Sequence, residues 1–219
     1  MTVLLWRVLR TLDRFNAAHP WDHNAHYHPW IMRQLPRRFS SALDAGSGTG
    51  DLARLLATRA AAVDGVDRDP AMTARARALT PPDAPVTFTT ADVLNGVPAA
   101  SYDVVTCVAV LHHLPFAHAL DHFRRHLAPG GTLVVVGLWR ARGPVDHLLG
   151  AASVPLNVVV GRFGNRGRAP SGPPVSMTAP VRPATMDFGE IVREVRRVLP
   201  GARLRRRLFW RYTLVWHRP

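Results

Sequence analysis

A chain of 219 residues, 47% apolar and 20% charged, is long enough to bury one substantial core, which excludes a disordered or fibrous protein. Its formal charge of +13 rests on 28 arginines with no lysine, so a P-loop, which needs a lysine, is excluded. The arginines are spread along the chain rather than gathered in one run. That favours compositional bias over a polyanionic partner such as RNA or a membrane surface.

In chain order, Leu5, Val8, Leu12 and Phe15 recur at helical spacing and predict an amphipathic helix over 3–16. Arg7, Arg10 and Arg14 interrupt it, so it is no secretory segment, and no stretch reaches the ~20 apolar residues of a membrane span. The expected location is cytoplasmic, with peripheral membrane contact left open. A His- and Trp-rich segment over 19–30 leads to a second helix ending at Pro36. Strands are then predicted at 42–45, 63–66, 86–90, 102–108 and 132–137, and helices at 52–62, 70–79 and 116–127. This alternation predicts a doubly wound α/β fold with a mostly parallel sheet. Residues 138–186 break the rhythm, with an apolar run over 148–160 and a Gly-, Pro- and Arg-rich run over 161–183. A helix over 186–199 and an antiparallel C-terminal hairpin over 202–217 bring the sheet to seven strands. In the hairpin, Leu204, Leu208, Trp210, Tyr212, Leu214 and Trp216 share one parity and Arg203, Arg205, Arg207 and Arg211 the other. That pattern predicts one apolar and one basic face. Four regions are expected: a helical lid over 1–36, a ligand-binding core over 37–137, an insertion capping the substrate over 138–186, and the terminal helix and hairpin over 187–219.

The strongest motif is Leu43-Asp44-Ala45-Gly46-Ser47-Gly48-Thr49-Gly50-Asp51, set between the first strand and its helix. Gly46, Gly48 and Gly50 permit a tight turn with bare backbone against a ligand. The spacing G-x-G-x-G does not fit the G-x-G-x-x-G dinucleotide fingerprint. Asp44 would repel a pyrophosphate but suits a cationic amino acid moiety.

This segment resembles the first motif of class I S-adenosylmethionine methyltransferases. Three further segments match in order. Asp67, ending the second strand, is similar to the family's ribose-binding acid, and an acceptor-only carboxylate suits a vicinal diol. Ala91-Asp92-Val93 resembles the adenine-binding segment, where a carboxylate takes the amino group and an apolar neighbour packs on the ring. The fourth-strand motif is matched by Tyr102-Asp103-Val104-Val105 through Leu111-His112-His113-Leu114, and the turn into the fifth strand by 127–133. The resemblance covers roughly residues 41–137 and implies S-adenosyl-L-methionine as cofactor. The implied binding residues are Tyr27, Asp44, Gly46, Ser47, Gly48, Gly50, Asp67, Arg68, Asp92, Val93, Cys107 and Val108. Tyr27-His28-Pro29-Trp30 and Phe209-Trp210-Arg211-Tyr212 are similar to parts of a small actinobacterial methyltransferase group of unassigned substrate.

A sulfonium activates its methyl group already, so the protein has mainly to align a nucleophile and, where needed, take a proton. Histidines are the available bases: His112 and His113 just past the fourth strand, and His23, His26 and His28 in the segment before the first. Among these, His113, His112 and His28 are the catalytic candidates. Cys107, the single cysteine, excludes an intramolecular disulfide and lies in an apolar run, as a buried thiol would. His118, His122 and His126 fall at metal-like spacing, but the core face belongs to Phe116, Leu120, Phe123 and Leu127, so they are expected toward solvent and no metal is expected. The leading expectation is methyl transfer to a small aromatic or lipophilic metabolite. Quinone-ring methyltransferases share the Leu-His-His-Leu pattern. The alternative is an RNA methyltransferase using the basic surface. Against it stands the absence of an Asn/Asp-Pro-Pro-Tyr/Phe motif, with Thr-Cys-Val-Ala-Val at 106–110 instead.

Overall fold

In the computed structural model, which describes residues 24–98, 101–143, 146, 148–150, 153 and 183–219, the apolar runs form a seven-stranded sheet. The expected helix over 3–16, His23, and nearly all of 161–183 lie outside the described residues. In chain order the strands are β1 (Phe39–Ala45), β2 (Ala60–Asp67), β3 (Val86–Thr90), β4 (Tyr102–Val108), β5 (Leu127–Leu138), β6 (Arg203–Arg206) and β7 (Arg211–His217). They lie in the order β3-β2-β1-β4-β5-β7-β6, parallel from β3 to β5, with β7 antiparallel to both β5 and β6. Order reverses between β1 and β4, and a doubly wound sheet binds its ligand at that switch point, outside the carboxyl ends of the strands.

Helices α1 (His28–Gln34), α2 (Asp51–Ala57), α3 (Pro70–Leu79), α4 (Phe116–His126) and α5 (Phe188–Val198) flank it. One core face gathers Tyr102, Leu111, Leu120, Phe123, Ile191 and Trp216; the other gathers Tyr27, Ile31, Leu56, Val63 and Val134. With both faces covered, central strands bury consecutive residues: Val104 to Cys107, and Tyr212 to Trp216, are all buried.

Three expectations change. The alanines at 60–62 join β2 instead of extending α2, because Phe39 and Ala60 pair in the sheet, and a ladder outweighs alanine's helix preference. β5 begins at Leu127, not 132: Tyr102 pairs with Leu127, and an irregularity at 128–131 restores the register at Val104 and Thr132. The terminal hairpin does not keep one basic face, since β7 is central and buries Thr213 and Val215 as well.

Within the region expected as a lid, the last dozen residues are described and pack on the core. Ile31 is fully buried and Tyr27 and Leu35 nearly so, so α1 is part of the core wall. The ends of the 138–186 segment are tied together, with the Arg140 N–H donating to the Met186 carbonyl at 2.8 Å. Asp187 caps α5 in a reciprocal capping box with Glu190 and pairs with Arg142 at 3.0 Å.

Candidate active site

The G-x-G-x-G turn leaves β1 with Gly46, Gly48 and Gly50 all at positive φ. At Gly46 a Cβ would lie 2.1 Å from Val110 Cγ2, so the turn packs directly on the chain that follows β4. At Gly48 a Cβ would meet no protein atom within 4 Å, and that open side belongs to a cavity of about 730 Å³. This cavity runs across the carboxyl ends of β3, β2, β1 and β4. Asp92, Val93 and Leu94 line it after β3, Asp67, Arg68, Asp69 and Met72 after β2, Gly46 and Gly48 after β1, and residues 108–110 and 113–115 after β4; Asn24 closes one side.

Asp67 is held in place before any ligand arrives. One carboxylate oxygen accepts the Gly48 N–H at 2.8 Å and the other the Asp69 N–H at 2.9 Å. Each oxygen keeps a lone pair for a further donor. Asp92 accepts the Leu94 N–H at 2.7 Å. Behind the glycine turn, the Ser47 hydroxyl is buried with no hydrogen-bond partner among the described residues. Asp44, 2% exposed, accepts a hydrogen bond from Thr106 Oγ1 at 2.8 Å. Burial pushes its carboxyl up to about 7, with the nearby Asp67 charge adding to the rise and the Thr106 bond opposing it.

A family model described as a methyltransferase domain matches residues 43–135, the stretch that builds this cavity. An uncharacterized methyltransferase of Mycobacterium tuberculosis is 32% identical over 213 residues, covering 91% of this chain and 98% of that one. The chain belongs to the class I S-adenosylmethionine-dependent methyltransferases. Over 106 residues it is 37% identical to a trans-aconitate 2-methyltransferase of Streptomyces avermitilis, covering 46% of this chain and 39% of the other. The N-methyltransferase NodS of Bradyrhizobium japonicum, solved with S-adenosyl-L-homocysteine, superposes with a TM-score of 0.61 at 18% identity, covering 96% and 97% of the two chains.

The methyltransferase's cofactor is S-adenosylmethionine, and the site fits it: open space at Gly48, two carboxylates from neighbouring strand ends, and an unpartnered buried hydroxyl beneath the turn. Of the residues implied by the sequence, Gly46, Gly48, Asp67, Arg68, Asp92, Val93 and Val108 line the cavity. Asp44, Ser47, Gly50 and Cys107 stand behind the lining; Cys107 is fully buried, which pushes its thiol up to about 12.

Tyr27 is not among the residues that line the cavity. Its hydroxyl donates to the Leu208 carbonyl at 2.8 Å, which joins α1 to the terminal hairpin, and Asn24, three residues earlier, takes the place at the cavity. His28 opens α1, half-buried, and is also absent from the lining.

The two adjacent histidines diverge. Their ring centroids are 3.9 Å apart, yet His113 lines the cofactor cavity, whereas His112 lines a narrow cleft with Phe116, Leu138, Met186, Ile191 and Tyr212. Leu114 borders both. Asp69, Met72, Leu94, Ala109, Val110, Leu114 and Pro115 also line the cavity and were missed from sequence. For Asp69 and Met72 a signal existed, since the first turn after a ribose-side acid must face the same ligand. For Ala109, held at φ 55, there was none.

The α4 histidines differ from expectation too. His118 is exposed, but His122 is buried and its ring lies 4.2 Å from that of His126, because Ala119, Leu120, His122 and Phe123 form the inward stripe of the helix. Among the described residues, no group of three or more His, Cys, Asp or Glu is placed to hold a metal.

Asp44 makes a stability prediction. Its folded-state value is raised above the unfolded value of 3.8, so the folded protein holds that proton more tightly, and stability is lost as pH rises from about 4 to about 7. Relative to Asp44→Asn, the parent protein should therefore lose stability between pH 5 and pH 7 and show no further relative loss above pH 8. Urea denaturation of both proteins across that range checks this; a constant difference would mean that Asp44 titrates normally.

Proposed function

We propose that this methyltransferase methylates a small aromatic or lipophilic acceptor, seated at the β4 end of the cavity with His113 as general base. One observation carries the reading: polarity is segregated along the cavity. The β2 and β3 ends contribute Asp67, Arg68, Asp69 and Asp92, whereas the β4 end contributes Val108, Ala109, Val110, Leu114 and Pro115. Among the described lining residues of that end, His113 alone can ionise. Beyond it, the cleft past His112 continues in apolar side chains.

In this reading Asp67 holds the ribose hydroxyls, Asp92 the adenine amino group, and Val93 and Leu94 the adenine ring. The backbone at Gly46 and Gly48, with Asp44 and Ser47 behind it, holds the amino acid moiety. The cofactor supplies a methyl group already activated by its positive sulfur. The chain's part is to exclude water, orient the acceptor against residues 108–115, and let His113 accept the acceptor's hydroxyl proton. Residues 184–186 border the cleft.

The trans-aconitate methyltransferase relative supports a small-molecule acceptor. A tricarboxylate itself is disfavoured, because no arginine among the described residues lines the β4 end or the cleft.

The test is a panel of phenols, hydroquinones and aliphatic acids incubated with S-adenosylmethionine, with S-adenosylhomocysteine release measured by mass spectrometry. Turnover is expected with the first two classes. His113→Gln should lower kcat by about 10²–10⁴-fold, with S-adenosylhomocysteine affinity unchanged. Turnover of carboxylic acids alone, or full activity of His113→Gln, would overturn the reading.

A further inference from the structure

The sheet separates charge along its width. Residues 39–103, which supply β1, β2 and β3, hold eight carboxylates and five arginines, whereas residues 183–219, which supply β7 and the edge strand β6, hold nine arginines and three carboxylates. The basic edge also reaches the ligand-binding rim. Arg211, the first residue of β7, pairs with Leu138 at the carboxyl end of β5, so the β6–β7 turn stands at the same end of the sheet as the cavity.

That turn is built against backbone preference. Phe209 and Trp210 sit at φ 59 and φ 57, positions that glycine or asparagine fills without strain. Strain of this kind persists where surrounding contacts hold it. Phe209 is buried, and its N–H donates to Ser153 Oγ at 2.8 Å. Tyr27 bonds the Leu208 carbonyl, and Arg206 pairs with Asp146 at 3.1 Å. The consequence of so many fastenings is that Trp210 is carried outward, 40% exposed. Beside it lies Gly150, where a Cβ would be 3.2 Å from Trp210 Nε1, and Leu148, two residues before Gly150, is 71% exposed. On the edge strand, Arg203 and Arg205 are exposed, about 7 Å apart at strand spacing, on the face opposite the one from which Arg206 reaches Asp146. Neither has an ion-pair partner among the described residues.

We propose that this corner, Trp210 and Leu148 with Arg203 and Arg205, docks the methyltransferase onto an anionic lipid bilayer. An indole at the headgroup level, an aliphatic side chain reaching past it, and guanidinium groups on lipid phosphates form the usual composition of an interfacial anchor. An RNA surface would use the arginines and could stack on the indole, but it has no place for an exposed leucine. The opposite, carboxylate-rich edge turns away from such a membrane, which fixes the orientation. The docked corner adjoins the apolar cleft, so a membrane-dissolved acceptor would enter without crossing water. That delivery rests on the acceptor reading above; the docking does not.

Flotation of the full chain with vesicles tests docking without any acceptor. Binding is expected to vesicles of equal parts phosphatidylcholine and phosphatidylglycerol, to weaken with added salt, and to be slight with phosphatidylcholine alone. The double variant Arg203→Gln/Arg205→Gln should lower the partition coefficient by about 30-fold, each arginine near an anionic surface contributing roughly fivefold. Leu148→Ser/Trp210→Asn should lower it by at least about tenfold; asparagine keeps the left-handed backbone at 210. Circular dichroism confirms that both variants fold. No binding to anionic vesicles, or binding undiminished in both variants, overturns the proposal. So does sub-micromolar, salt-sensitive binding to transfer RNA with no vesicle binding. Vesicle binding together with a failed acceptor panel would leave the docking standing and remove only the delivery.

Discussion

Replacing Asp67 by alanine is expected to weaken S-adenosylhomocysteine binding by about 30- to 900-fold, equivalent to roughly 2–4 kcal/mol for two charge-assisted hydrogen bonds to the ribose. The carboxylate is already oriented by the Gly48 and Asp69 N–H groups, so little is lost in ordering it when the diol arrives. The same two bonds give a built-in control. Asp67→Asn keeps one carbonyl oxygen for a backbone donor but replaces the other acceptor with an amide that donates. Its affinity should fall nearly as far as that of the alanine variant, while the turn around Gly48 suffers less. Isothermal titration with S-adenosylhomocysteine measures both variants. Affinity within threefold of the parent in Asp67→Ala would remove the ribose from this end of the cavity.

Gly46→Ala and Gly48→Ala should behave as opposites, though only two residues apart. At Gly46, alanine must adopt φ +80, which costs about 1–2 kcal/mol, and its methyl collides with Val110 Cγ2, a further overpacking of about 1–3 kcal/mol. The protein should lose on the order of 10 °C in Tm. Because Val110 is itself cavity lining, cofactor affinity should collapse with it. At Gly48, φ is +52 and no protein atom lies in the way, so stability should fall by only about 1 kcal/mol. There the methyl enters the cavity, and affinity should drop at least tenfold in a protein that still melts near the parent temperature. Differential scanning fluorimetry with and without S-adenosylhomocysteine separates the two effects. A Gly48→Ala protein that binds as well as the parent would show that the ligand does not approach this backbone.

Much of this was open to reading along the chain because the physics is local. A glycine at every second position after an apolar strand, an acid at the end of the next, and an Asp-Val pair after the third depend on turn conformation and strand ends, which sequence spacing reports directly. The mostly parallel sheet and the ligand's place at the carboxyl ends of its strands therefore followed from residues 41–137, and the resemblance those residues carry implied the cofactor. Where competing forces act over distance, the sequence was silent or misleading. The alanines at 60–62 have helix preference, and only pairing with β1 makes them strand. Tyr27 has the right chemistry for a ligand contact, but its hydroxyl is taken by Leu208, 181 residues away. His112 and His113 are indistinguishable as neighbours in a Leu-His-His-Leu string. The short 3-10 turn over Leu111–His113 sends one to the cofactor cavity and the other to the cleft, a choice made by packing against β5 and α5. The arginine-rich stretch over 183–219, with nine arginines and three carboxylates, is visible in the sequence; that it forms one edge of the sheet is decided by crossover topology and the antiparallel return of β7.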